Sequence, residues 1–305
     1  MPDGSYKGIL VAIHDVPGRG EKDFLPIIEP LKERGIRYLG INLPGFGYSS
    51  YDSRLECDGN ERKQFITTIC RTLIKPHEKI IFMGHGRGTE TAIKMTEIYK
   101  NDGAVGCIAV SPYGINDEHK YRHNFIATIH YLIMGLKDLG AHQIQPLLDI
   151  SRYETLILFY PFILVYKSNN LSRLRFLKAG SRSSTVKTIQ NISFLDVPEY
   201  LKDIEAAKQK FVILYGNSNK YVDPQLSLSL AKLLHECQYK ELGKGEEIET
   251  LAWLSEQFSD SKNNVCIGVE YGKHTVFKRA PVFVADLIDV IFLYTELRRH
   301  FTIIE

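Results

Sequence analysis

The sequence predicts an α/β fold, a mostly parallel sheet flanked by helices. Three observations carry this. Apolar runs such as Gly8–His14, Lys79–Gly84, Ala104–Val110 and Lys210–Gly216 lack polar alternation, the pattern of strands buried on both faces. Stretches with helical spacing separate them, as parallel strands require. The 305 residues, 44% apolar and 24% charged, supply a large core and exclude a collagen, a coiled coil or wholesale disorder.

The elements follow in order. Gly8–His14 is the first strand. Phe24–Arg34 has helical spacing, with Pro26 near its start, Gly35 as its stop and Pro30 as an expected kink. Ile36–Asn42 is a second strand, closed by Leu43-Pro44-Gly45-Phe46-Gly47. Glu61–Ile74 is a helix, Lys79–Gly84 a third strand, the stretch near Arg87–Tyr99 a helix, and Ala104–Val110 a fourth strand. From Pro112 to Gln209 the rhythm stops and the segments are helical or mixed. It resumes with a strand at Lys210–Gly216, a helix from Pro224 to about Glu236, a strand at Val265–Glu270 and a helix from Pro281. Residues 1–111 and 210–305 therefore read as one core, with 112–209 as a helical or mixed insertion. Gly243–Asn264 reads as a surface excursion around one amphipathic turn near Leu251 and Trp253.

A net charge of +2 does not point to nucleic acid. The five cysteines, Cys57, Cys70, Cys107, Cys237 and Cys266, are scattered and never form a CxxC. That is a reduced, intracellular pattern, neither a disulfide framework nor a zinc site. Met1–Lys7 lacks the basic and apolar regions of a signal peptide. The longest apolar runs, Phe125–Leu136 and Thr155–Tyr166, fall short of the roughly 18–20 residues of a membrane span. The expected address is cytoplasmic.

Four motifs in order resemble the α/β-hydrolase family and together cover nearly the whole chain. His14-Asp15-Val16-Pro17-Gly18 is similar to the turn that supplies one oxyanion-hole amide, here that of Val16. Asn42-Leu43-Pro44-Gly45-Phe46-Gly47-Tyr48-Ser49 is similar to the family's (D/N)xPGfGxS stretch. Gly84-His85-Gly86-Arg87-Gly88 stands where the nucleophile elbow Gly-x-Ser-x-Gly belongs, with Arg87 giving the second oxyanion amide. Gly272-Lys273-His274 resembles the late Gly-x-His that carries the catalytic base. Within the superfamily the chain resembles an uncharacterised hydrolase-like group with a Gly-His-Ser-Arg-Gly elbow. The resemblance implies an α/β-hydrolase fold in which 112–209 is the cap.

The departures are as informative as the matches. Gly86 stands at the elbow's central position, so the nucleophilic hydroxyl is missing. The family's Gly-x-x-Asp turn reads Gly216-Asn217-Ser218-Asn219, with an amide in place of the acid. Asp15 replaces a customary glycine and puts a carboxylate beside a hole meant for developing negative charge. Acyl transfer needs an oxygen that histidine can deprotonate, and glycine has none. Gly86, Asn219 and His274 therefore read as a degenerate triad.

Substitutes have simpler roles. Thr89 fits a hydrogen bond at the helix start. Asp223 is the nearest substitute acid, but with Pro224 behind it the pair also reads as N-cap and N1 of a helix. Asp117 lies six residues beyond Ser111 and is a remote alternative acid. The elbow glycines miss the dinucleotide spacing Gly-x-Gly-x-x-Gly, so no cofactor is expected. His119 and His123 share a helix face without a third ligand, so no metal is expected either.

The insertion bears on partners. Its apolar runs read as cap helices roofing a lipophilic cavity. From Thr155 to Leu195 there is no acidic residue, while Lys167, Arg173, Arg175, Lys178, Arg182 and Lys187 fall inside, a pattern that also suits a peripheral membrane contact through Thr155–Lys187. The resemblance begins at the family's usual third strand. Either a segment precedes Met1, or the N-terminal edge strands are missing or reduced and Gly8–His14 is an exposed edge for homodimer pairing. The expectation is a hydrolase-like protein that is non-catalytic and binds a lipophilic small molecule or a protein partner. The alternatives are a weak ester or acyl hydrolase in which His274 activates water, and a membrane-surface or scaffold protein acting through its cap.

Overall fold

The computed structural model describes residues 6–113 and 179–301. The runs Phe125–Leu136 and Thr155–Tyr166, together with Asp117, His119 and His123, lie outside them. The first half comprises β1 (Gly8–Ile13), the single turn α1 (Gly20–Asp23), α2 (Leu25–Glu33), β2 (Ile36–Ile41), α3 (Gly59–Leu73), β3 (Ile80–His85), α4 (Gly88–Ile98) and β4 (Ala104–Val110). The second half comprises α5 (Ala179–Asn191), α6 (Val197–Ala206), β5 (Lys210–Gly216), α7 (Pro224–Ala231), β6 (Gln238–Leu242), α8 (Glu247–Ser259), β7 (Asn264–Val269) and α9 (Pro281–Phe301).

The seven strands form one sheet in the order β2-β1-β3-β4-β5-β7-β6, and every pairing is parallel. Successive residues of the central strands enter opposite cores. Leu10, Ile81, Ile108, Val212 and Ile267 pack with α2, α8 and α9. Ile9, Val11, Phe82, Cys107, Phe211 and Ile213 pack with α3, α4, α6 and α7. Burial on both faces is why these strands read as unbroken apolar runs.

Two expectations are corrected. Gly8–His14 is not an edge: β1 pairs with β2 on one side and β3 on the other, which leaves no free ladder for a second copy. Among the described residues the edges are β2 and β6. The stretch Gly243–Asn264 is not a loop excursion, because it holds the 13-residue α8, with Thr250, Leu254 and Phe258 buried at four-residue steps. The strand before it, Gln-Tyr-Lys-Glu-Leu, escaped the sequence pattern because it is an edge strand with polar, partly exposed positions.

The register places one functional edge. Ile13 pairs with Gly84, His85 with Val110, and Gly216 with Val269. The carboxyl ends of β1, β3, β4, β5 and β7 thus open onto the same side. The order in which strands are added reverses between β1 and β3, the crevice where ligands of open parallel sheets bind.

Candidate functional site

Gly86 sits at the apex of the β3–α4 turn with φ +56°, a left-handed conformation that glycine adopts without a Cβ penalty. Its missing side chain has a counterpart. A Cβ on Gly86 would lie 2.3 Å from Asp15 Cγ and 2.4 Å from its Oδ1. The Asp15 carboxylate, coming from the turn after β1, therefore fills the volume in which an elbow side chain would stand.

Its hydrogen bonds define the site. Asp15 Oδ1 accepts from the Val16 amide at 2.7 Å and the Arg87 amide at 2.9 Å. These are the two amides the sequence assigned to an oxyanion hole, and they do meet at one point. Asp15 Oδ2 lies 3.0 Å from His274 Nε2. Burial pushes the Asp15 carboxyl up, yet the His274 hydrogen bond and the surrounding His274, His85 and Arg87 hold it well below the usual carboxylate range.

Asn219 settles the histidine's orientation. Its Oδ1 accepts from the Tyr221 and Val222 amides at 2.9 and 3.2 Å, which turns its Nδ2 toward His274 Nδ1 at 3.3 Å. An amide N–H pointing at Nδ1 makes that nitrogen an acceptor and leaves the ring proton on Nε2. From there it donates to Asp15 Oδ2. A serine triad needs the reverse, with the proton on Nδ1 and a lone pair on Nε2.

The remaining partners fix the frame. His85 Nε2 and Ser111 Oγ both donate to the His274 backbone carbonyl, at 3.0 and 2.9 Å. Ser111 is itself held at φ +47°, a left-handed conformation for a buried non-glycine residue. Arg87 donates from Nη1 to Val16 O and to the Tyr113 hydroxyl, with its guanidinium 4.3 Å from the Tyr113 ring centre. The Tyr221 ring lies 5.6 Å from that of His274. Behind Asp15, the fully buried His14 bridges two turns, with Nδ1 2.6 Å from Asp15 O and Nε2 accepting from the Leu43 amide. Desolvation lowers its pKa.

The other candidates lie elsewhere in role or place. Asp223 Oδ1 accepts from the Gln225 amide as the N-cap of α7. Thr89 Oγ1 donates back to Gly84 O within the elbow. Asp15, His85 and His274 bring potential metal-ligand atoms within 4.8 Å of one another. A ligating histidine normally donates its second N–H outward. Here Asn219 Nδ2 donates toward His274 Nδ1 instead, so this donor set does not fit a metal at Nε2. Sequence reading missed His85, Ser111, Tyr113 and Tyr221. For Asp15 there was a signal: a side chain gained in one turn and lost in the other, at two turns the fold brings together.

The fold is matched by comparison. Residues 1–293 fit the family described as "Alpha/beta hydrolase of unknown function (DUF1057)". The chain belongs to this alpha/beta hydrolase family. A protein of Caenorhabditis elegans, "Uncharacterized protein F35H12.5", is 24% identical over 300 residues, covering 95% of this chain and 79% of that protein. Among solved structures, the alpha/beta hydrolase MGS-M2 from a Medee basin deep-sea metagenome library has a TM-score of 0.59 at 11% identity, covering 93% of this chain and 89% of its own. The meta-cleavage product hydrolase CumD of Pseudomonas fluorescens IP01 gives 0.58 at 15%, covering 95% and 92%. A bromoperoxidase of Bacillus anthracis gives 0.57 at 12%, covering 95% and 92%. At these identities the likeness speaks for the fold of this hydrolase-family chain. No helix among its described residues is long and apolar enough to cross a membrane.

Proposed function

We propose that this alpha/beta-hydrolase-fold protein does not perform acyl transfer and acts by binding a lipophilic small molecule or a protein partner at the carboxyl edge of its sheet. One observation carries the reading: the Asp15 carboxylate occupies the space of an elbow side chain and takes the hydrogen bonds of both oxyanion amides. A substrate carbonyl needs those amides for the negative charge that develops on its oxygen. With an anion already seated there and no hydroxyl on Gly86, the triad is degenerate in both its nucleophile and its hole. The alternative of His274 activating water is opposed by its tautomer, since Nε2 carries a proton and donates it to Asp15. A membrane contact through Thr155–Lys187 would have to use residues other than Lys187, whose Nζ is bound to the Ser53 and Leu55 carbonyls.

The test is chemical. The native protein should resist fluorophosphonate labelling and give no burst with activated esters. Stoichiometric modification of any side chain, Asp15 included, would overturn the reading.

A further inference from the structure

Three donors converge on the Asp15 carboxylate from three separate elements. The Val16 amide comes from the turn after β1, the Arg87 amide from the N-terminus of α4, and His274 Nε2–H from the loop after β7. Two of them are held independently of Asp15: the Arg87 amide through the elbow, whose Gly86 amide donates to Val110 O, and His274 through His85 and Ser111 on its backbone carbonyl and Asn219 on its ring. Two donors on one oxygen and one on the other is the geometry of a planar carboxylate, not of a halide. The Arg87 guanidinium adds a positive field, and the Tyr113 and Tyr221 rings stand beside the His274 ring. The Asp15 side chain keeps 13% of its surface exposed, so the site is not sealed among the described residues.

We infer that these donors form a receptor for the carboxylate head of an external monocarboxylic acid, and that Asp15 is its resident internal occupant. This rests on the reading above, that the site binds rather than turns over, and names the chemistry of what it binds. Asp15 then regulates the site by intramolecular competition. A tethered carboxylate acts at a high effective concentration, so an external acid enters the native protein only at correspondingly higher concentration than a protein without it.

The experiment compares the wild type with Asp15→Ala, using Asp15→Gly if the alanine variant fails to fold. The probes are acetate, hexanoate, hexanol and chloride at constant ionic strength. The readouts are melting temperature and the imidazole ¹⁵N resonances of His274. In the variant, acetate and hexanoate should raise a lowered melting temperature saturably and shift the Nε2 resonance, whereas hexanol and chloride should do neither. In the wild type, hexanoate should produce the same Nε2 shift with a midpoint about 10²–10³-fold higher. Two results would overturn the inference: a folded variant that treats acetate and chloride alike, or a wild type unmoved by hexanoate about 10⁴-fold above the variant's midpoint. Failure of the non-catalytic reading would look different, as covalent labelling or turnover by the wild type with the acetate response of the variant intact.

Discussion

Helix α4 touches two buried acids, and they are held in opposite ways. Glu90, fully buried in its first turn, is surrounded by side chains: Arg62 Nη2 at 3.0 Å, Thr91 Oγ1 at 2.9 Å and Lys94 Nζ at 2.6 Å, with Lys94 reaching on to Asp196. Asp15, at the helix N-terminus, is held mainly by backbone amides and one ring nitrogen. Removing Glu90 takes the carboxylate partner from the buried Arg62 and leaves the buried Lys94 with Asp196 alone. Removing Asp15 uncovers donors at a partly open site, where water or an anion can replace the carboxylate. The first cluster joins α3, α4 and α6 into one body, while the second gathers three donors from separate elements on one carboxylate.

That difference sets the largest expected effect. Glu90→Ala should destabilise the protein by about 3–5 kcal/mol, because it breaks a buried pair by removing one partner. Asp15→Ala should cost about 1–3 kcal/mol, the range for buried donors left without an acceptor. Denaturant unfolding of the two variants checks the order. Equal costs would mean that Asp15 is only another structural ion pair.

Gly86→Ser sharpens the comparison at a single position. The new Cβ would meet the Asp15 carboxylate at contacts no real Cβ makes, on backbone at φ +56°. Overpacking of this kind costs about 1–3 kcal/mol, in addition to the left-handed backbone. Asp15→Gly should return most of that packing loss, so a double-mutant cycle should show coupling of about 1 kcal/mol or more. Strict additivity would mean the two turns do not compete for the space.

Acid should separate the two groups around the site by pH. His14 is buried with its pKa lowered from 6.5 by desolvation, so below that value the unfolded chain takes up a proton the folded one refuses. Stability should be full above about pH 6.5 and fall as pH drops below it. Asp15, also depressed, adds a further loss as pH falls below about 3.9 toward its folded value. His14→Gln should flatten the melting temperature between about pH 4 and 6.5 and leave the steeper acid limb in place.

The fold was largely legible because its signals are local. Unbroken apolar runs mark β1, β3, β4, β5 and β7, and Asp223-Pro224 marks the start of α7. β6 was not legible, since an edge strand of alternating polar residues carries no such run. Of the site, the positions of Gly86, Asn219 and His274 could be read from motif order. The role of Asp15 could not. It depends on Asp15 and Gly86, 71 positions apart, being brought together across paired β1 and β3. The inverted tautomer of His274 was equally hidden, because it follows from two backbone amides, those of Tyr221 and Val222, orienting one side-chain amide.

The most direct test of Asp15 as the occupant of the hydrolase centre is labelling of a rebuilt triad with and without it. Gly86→Ser with Asn219→Asp restores the hydroxyl and the acid that would reverse the tautomer, but leaves the carboxylate in the hole. Adding Asp15→Gly empties the hole. The triple variant should label with fluorophosphonate at Gly86→Ser at least about 10²-fold faster than the double, the scale of one lost oxyanion-hole donor. A double variant that labels as fast as the triple, with Asp15 still in place, would contradict the account.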